Sequence, residues 1–272
     1  MKRFVAFVLC GCCITLLLSG CKQPPIDGPD NNTSGQLQDT QQATQSTQPT
    51  TQITEPVIVE DIEGPLAQYV QTAIKEKHQR FDKYGYGTVQ QESSLRIPKL
   101  LPFSEDAIAA QTEIESELKT YITDVRESYA QELSASTSFI DYKAYLNDTV
   151  FSIVIQAESM FDLSFYLVYN FDIETGKRLD TEDLMAKLQI ANYTEIFTQI
   201  AQDAFDEDHV NATDEYLNEH YDLYISQMAK NISEENIDKA MPYIAEDGKA
   251  MVVLNIYSTA GAEYYPEIFP VS

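Results

Sequence analysis

Apolar residues recur along this chain in two periods, and the switch between them marks its parts. From Ile62 to His78 the spacing of Leu66, Tyr69, Val70 and Ile74 predicts a helix. Tyr84-Gly85-Tyr86-Gly87 breaks that pattern, and Thr88 to Leu101 reads as extended and ends at two prolines, Pro98 and Pro102. Ser104 is placed to cap a second helix, with Glu105 and Asp106 in its first turn, where carboxylates suit the helix dipole. Ile108, Ile114, Leu118, Tyr121, Ile122, Val125 and Tyr129 give that helix one apolar face. The period then falls to two.

Three strands are predicted in succession. The first carries Ile140, Tyr142 and Leu146 and turns at Asn147-Asp148; the second carries Phe151, Ile153, Ile155 and Ala157. After a break near Met160, Leu163, Phe165, Leu167, Tyr169, Phe171 and Ile173 alternate through the third, which implies one buried face. Thr175-Gly176-Lys177 turns the chain and Asp180 caps a short helix to Met185. Helical spacing returns in Tyr193, Ile196, Phe197, Ile200, Ala201, Ala204 and Phe205, and again after Thr213 in Leu217, Tyr221, Tyr224, Ile225 and Met228. Asp247-Gly248 between apolar runs at Ala240–Ala245 and Met251–Tyr257 predicts a closing hairpin. Strands cluster and helices cluster without βαβ alternation. The fold expected is α+β, an antiparallel sheet of about five to six strands packed against helices.

The first 60 residues follow neither period. Lys2 and Arg3 precede an apolar run, Phe4 to Leu18, too short for a membrane span, which ends in Leu18-Ser19-Gly20-Cys21. That ending resembles a bacterial lipobox, so residues 1–20 are read as a lipoprotein signal peptide and Cys21 as the lipidated residue. The other cysteines, Cys10, Cys12 and Cys13, fall inside the signal, which leaves the mature chain no disulfide and a core that must hold it. Residues 21–60 read as a disordered tether: from Gln36 to Thr54, 13 of 19 residues are Gln or Thr, too polar to offset the entropy of ordering. Residues 61–272 form one binding domain, with sub-domains at 61–135 and 136–272 as an open option. The location implied is the extracytoplasmic face of a bacterial membrane, reached through lipid.

Charge narrows the partners. The chain has 43 acidic and 18 basic residues, and residues 61–272 carry a net −23. That excludes nucleic acid, whose phosphates need clustered Lys and Arg, and favours a cationic protein or cell-wall component.

Sites for chemistry are sparse. The three histidines, His78, His209 and His220, form no HxxxH or HExxH pair, and no metal or cofactor is expected. Asp206-Glu207-Asp208-His209 lacks the ligand and the glycine a calcium loop needs at Val210 and Asn211. No nucleophile motif or phosphate-binding loop is present, so no catalytic residue is assigned. Tyr84, Tyr86, Tyr257, Tyr264 and Tyr265, beside loops, are candidate aromatic contacts.

One segment suggests a family. Phe171, Asp172, Thr175, Gly176, Lys177, Leu179, Asp183 and Leu184, in the stretch from Tyr166 to Leu184, resemble the uncharacterised extracytoplasmic domains of the anti-sigma-V factor and of a peptidoglycan deacetylase. Ile97-Pro98-Lys99-Leu100, the helix from Ser104 and the hairpin from Asp247 extend the resemblance over roughly residues 85–272. The resemblance implies a sensing or binding domain; in the anti-sigma-V factor such a domain recognises lysozyme. Where relatives carry a Gly-Gly-Ala-His-type loop, this chain reads Glu158-Ser159-Met160-Phe161-Asp162, the candidate binding loop. The expectation is a non-catalytic surface lipoprotein that binds an envelope partner. The alternative is an enzyme, or an accessory to one, acting on cell-wall glycan, which calls for a concave site with paired carboxylates.

Overall fold

The computed structural model describes residues 50–53, 62–84, 87–159, 164–210, 212, 214–259 and 263–271. Cys21, Tyr86 and the loop positions Met160, Phe161 and Asp162 lie outside them, as does Thr213. The α+β class is as expected. The strands divide between a seven-stranded sheet in the order β1 to β7 and a three-stranded sheet in the order β10-β9-β8.

In the large sheet, β1 (Thr50–Ile53), β2 (Val70–Tyr84) and β3 (Gly87–Leu100) form an antiparallel run. Then β4 (Thr137–Leu146), β5 (Val150–Ser159), β6 (Ser164–Asp172) and the two-residue β7 (Arg178–Leu179) form another. The two runs join through a parallel contact of only two residue pairs, Ser94 with Phe139 and Leu95 with Ile140. The sheet therefore crosses position 136.

The helix expected at Ile62–His78 is instead a 3-10 turn, Gly64–Gln68, leading into β2. Buried Val70 and Thr72 alternate with exposed Gln71 and Ala73, so the period is two. The apolar spacing there fits both readings. The deciding partner is β3, which pairs along nearly the whole of β2 up to Tyr84 opposite Gly87. Four residues of the expected tether also pair, Thr50–Ile53 against His78–Phe81, satisfying the outer edge of β2.

One face of the large sheet is covered by α1 (Glu105–Ala130), capped by Ser104, whose hydroxyl accepts from the Ala107 N–H. The helix turns Ala107, Ala110, Ile114, Leu118, Val125 and Tyr129 inward. Ile108, expected on that face, is exposed, because the two alanines occupy the close approach to the sheet. Beneath the helix, Tyr69, Phe103, Phe151 and Phe171 form a ring cluster with centroids 5.0–6.0 Å apart.

The opposite face meets the small sheet, made of β8 (Met241–Ile244), β9 (Ala250–Tyr257) and β10 (Tyr264–Pro270). Val154, Tyr166 and Val168 pack there against Tyr243, Val253 and Ile268. A buried polar seam crosses the same junction. The Ser152 hydroxyl donates to Asn170 (2.7 Å), the Asn170 amide to the Pro242 carbonyl (2.8 Å), and the Ile244 N–H to the Ser152 oxygen (3.2 Å).

The outer layer holds α2 (Thr181–Lys187), α3 (Tyr193–His209), α4 (Asp214–Glu219), α5 (Tyr221–Asn231) and α6 (Glu234–Ile237). Leu184, Met185, Phe197, Ala201 and Ile237 pack against Val252, Leu254 and Ile256. The single helix expected after Thr213 is two helices that part at His220, and Tyr221 and Ile225 face solvent rather than inward. β10 was not foreseen: Pro266 and Pro270 disguise a strand that is tolerated at a sheet edge. Among the described residues no helix is long and apolar enough to cross a membrane.

Candidate functional site

The small sheet covers only part of the large one. Packing between the sheets involves β5, β6, β8 and β10, with Tyr145 at the margin. Among the described residues, a hollow lies over the outward face of β2 to β4. Its floor carries Lys75, Lys77, Ser94, Arg96, Asp141 and Lys143, because alternate residues of each strand point away from α1.

Three hollows run along this face and share residues. The first, of about 460 Å³, lies over Lys75, Lys77, Arg96 and Asp141. The second, of about 570 Å³, follows β4 from Tyr142 to Leu146, with Pro65 and Leu66 opposite and Glu246 at one side. The third, of about 70 Å³, sits at the junction of the sheets among Tyr145, Tyr166, Tyr243, Gln156 and Lys143. Together they form a groove.

Arg96 organises its centre. Just beyond the two parallel pairs, β3 and β4 part, and the guanidinium fills the gap. It donates to the Asp141 carboxylate at 2.6 Å and the Tyr142 carbonyl at 2.8 Å, and lies 4.3 Å from the Tyr142 ring centroid. A bridge of this kind uses the fixed fork of Arg and its affinity for aromatic faces. Below it the Tyr142 hydroxyl meets the Thr72 hydroxyl at 2.7 Å, so β2 and β4 are tied where no backbone ladder joins them.

The tyrosine corner has a distinct character. Tyr145 and Tyr243 stack with centroids 5.8 Å apart. Burial pushes the Tyr243 phenol up to about 12, with the neighbouring phenols of Tyr145 and Tyr166 acting the same way. Burial also raises Tyr145, assisted by Glu246, and Tyr166, assisted by Glu158 and Glu267. All three therefore keep their protons at neutral pH; Tyr243 is buried, and Tyr145 and Tyr166 are half-buried beside it. Around them stand carboxylates, an arrangement that suits a cation or a hydrogen-bonding chain.

The residues singled out from sequence are divided by the fold. Glu158 lies at the end of β5, two positions beyond Gln156 on the groove-facing side, and its carboxylate acts on Tyr166. Ser159 ends the same strand. Tyr257 and Tyr264 come together 5.5 Å apart near Lys230, which pairs with Glu263 at 2.6 Å. Tyr265 donates to Asp208 of α3. None of these three lines the groove, and Tyr84 ends β2 opposite Gly87.

The groove tyrosines were missed because the strand patterns were read for one buried face. The signal was present: Val154, Tyr166 and Val168 are apolar on the other face, which implies cover on both sides.

The segment carrying the family resemblance has a structural role. Asp172 accepts from the N–H groups of Glu174 and Thr175 and from Lys187, which holds its carboxyl down to about 2. Gly176 has φ +72°, and a Cβ there would lie 2.6 Å from that of Ser104. The Ser104 hydroxyl donates to the Gly176 carbonyl at 2.7 Å, so the turn fixes the start of α1.

The histidines are engaged locally. His209 contacts the Phe205 carbonyl and the Thr259 hydroxyl, and His78 contacts Glu76. Among the described residues no three His, Cys, Asp or Glu side chains gather to hold a metal ion. No protein-family model matches the chain, and no curated protein is detectably similar to it.

Proposed function

We propose that this chain is a bacterial surface lipoprotein, anchored through Cys21, whose domain binds an envelope partner without catalysing a reaction, and that the groove along β4 receives the partner. The observation that carries the reading is the groove itself, which runs along β4 to the margin of the sheet junction, where the phenols of Tyr145, Tyr166 and Tyr243 gather beside carboxylates. The likeness of the Phe171–Leu184 segment to extracytoplasmic sensing domains supports it, as do the leader and tether. A cationic partner fits the net −23 of residues 61–272, since complementary fields raise the association rate. The alternative, hydrolysis of cell-wall glycan, calls for paired carboxylates in a cleft. Glu267, whose carboxyl is raised by burial and by Asp208 and Glu207, is not among the residues lining the groove.

The test is a titration of the full chain with a basic protein, lysozyme, and with an acidic protein of similar size, each at about 50 and 300 mM salt. Binding of the basic protein alone, weakened at the higher salt, is the expected result. Equal binding of both, or of neither, refutes the cationic partner. Release of sugar from peptidoglycan fragments by the chain would replace the reading with the enzymatic one.

A further inference from the structure

The helix α5 is built inside out. Tyr221, Ile225 and Met228, with Ile232 at its C-terminal cap, recur at i, i+4, i+7 and i+11, the spacing of a helix that faces a core. Yet the buried residues of α5 are the amides Gln227 and Asn231, whereas Tyr221, Ile225 and Ile232 are 58%, 37% and 37% exposed. At 3.6 residues per turn, the apolar stripe and the buried side lie about 100° apart around the helix.

Hydrogen bonds fix that roll. The Gln227 amide donates to the Ser258 carbonyl at 2.9 Å. Asn231 accepts from the Tyr257 N–H at 3.2 Å and donates to the Ala201 carbonyl. Tyr224, on the same side, packs its ring 5.2 Å from that of Phe205 and 5.1 Å from that of His209. Rolling the stripe inward would break these bonds and strand buried polar groups without partners, which costs more than the exposed apolar surface would recover. The stripe therefore stays outside. The charge around it is one-sided. From Asp203 to Asp238 the chain has 11 acidic residues and one basic, Lys230, a net −10, and that lysine pairs with Glu263 at 2.6 Å. Asp222 stands beside the stripe on α5 itself, and Glu234 and Glu235 are exposed just beyond Ile232.

We propose that the exposed stripe of α5 is a docking site for a basic amphipathic helix of another protein. Its apolar face packs on Tyr221, Ile225 and Ile232, and its Lys and Arg residues face the carboxylates on either side. Helix recognition of this kind reads anchors at i, i+4 and i+7, and α5 presents that set over three turns. Charge decides among occupants. A second copy of this chain would bring another −10 to the same surface, and an anionic lipid headgroup would be repelled in the same way. The surface is separate from the groove along β4. It shares with the function proposed above only the sign of the partner's charge.

Three fluorescently labelled peptides test this against the full chain: a Leu/Lys helix with its leucines on one face, the same composition scrambled so that no face is apolar, and the first peptide with Glu for every Lys. The first is expected to bind, and the other two at least tenfold more weakly. Ile225→Ser is expected to cost at least fivefold. Leu223→Ser, which alters a comparably exposed residue on the far side of α5, is expected to cost less than twofold. If either variant fails to fold, the scrambled peptide decides on the unaltered chain. Equal binding of the ordered and scrambled peptides overturns the docking site, as do equal losses from the two serine variants or equal or tighter binding of the Glu peptide. A dimer of the chain in sedimentation that Ile225→Ser dissolves would give the stripe to a second copy and overturn it too. If lysozyme binds in a salt-dependent way and the Leu/Lys peptide does not, this site fails and the function proposed above stands. If the peptide binds and lysozyme does not, the reverse holds.

Discussion

β4 and β5 are neighbours in one sheet, paired residue by residue, and their surroundings differ completely. Seven of the ten residues of β5, all of Val150 to Ala157 but Gln156, are buried, because α1 covers one face and the small sheet the other. In β4 only Thr137, Ile140 and Tyr142 are buried, and Lys143 is exposed. The sequences record this: Val-Phe-Ser-Ile-Val-Ile-Gln-Ala against Thr-Ser-Phe-Ile-Asp-Tyr-Lys-Ala-Tyr-Leu. A strand packed on both faces has a continuous apolar run, and one packed on a single face alternates. On the binding function proposed above, the difference separates stability from recognition. The doubly covered half holds the core, and on the proposed function the singly covered half is the one left to meet a partner.

The largest test of that division is Phe151→Ala. Phe151 is fully buried and touches the rings of Tyr69, Phe103 and Phe171. Truncation should cost about 3–5 kcal/mol, the usual range for a buried Phe that leaves a cavity. Urea denaturation measures it. A loss below 1 kcal/mol would mean that the β5 half does not carry the core.

Next comes the seam between the sheets. Asn170→Ala removes the acceptor of Ser152 and the donor to Pro242. Leaving two buried groups unpaired should cost about 2 kcal/mol. Tyr145→Ala, at the margin of the same junction, should cost less. If the ranking is reversed, the small sheet is held by its open rim rather than by its buried seam.

Much of this half was legible in the chain. Period two marked β4, β5 and β6, Ser104 and Asp180 announced their helices, and Asp247-Gly248 announced its hairpin, because each feature is local. The groove was not legible for the opposite reason. It exists because β3 and β4 part after Leu95 and because the small sheet stops short of β4, both consequences of pairing between distant segments. Nothing near Arg96 in the sequence points to Asp141, 45 residues away. The tyrosines that the sequence singles out lie beside loops, whereas Tyr145, Tyr166 and Tyr243 lie within strands. The misread segment from Ile62 shows the same limit, since only the presence of β3 decides between two periods.

Acid should act on the covered half through Asp172. The folded carboxyl of Asp172 titrates at about 2, against 3.8 without its partners. A depressed folded value contributes stability above pH 3.8, and that contribution is lost as pH falls through 2. Solvent around the Lys187 ammonium limits it to about 1 kcal/mol. Stability measured by urea at pH 5, 4, 3 and 2 should fall, and Lys187→Met should flatten the part of the fall due to Asp172. If the variant and the original chain lose stability in parallel, the ion pair at the end of β6 contributes nothing.

The smallest effect on stability belongs to the open half and says most about its purpose. Lys143 is exposed on β4 and lines two of the three hollows. Lys143→Ser should leave stability within about 0.5 kcal/mol, as surface changes away from caps and seams do. Its effect on binding has a sign. Removing a positive charge from the groove of a domain already at −23 should speed association with lysozyme by about twofold at low ionic strength, and the gain should vanish at high salt. Slower association would show that Lys143 recognises an anion, and the partner would then be acidic or a charged glycan. An unchanged rate at low salt, beside unchanged stability, would place the contact elsewhere and break the assignment of recognition to the uncovered face of β4.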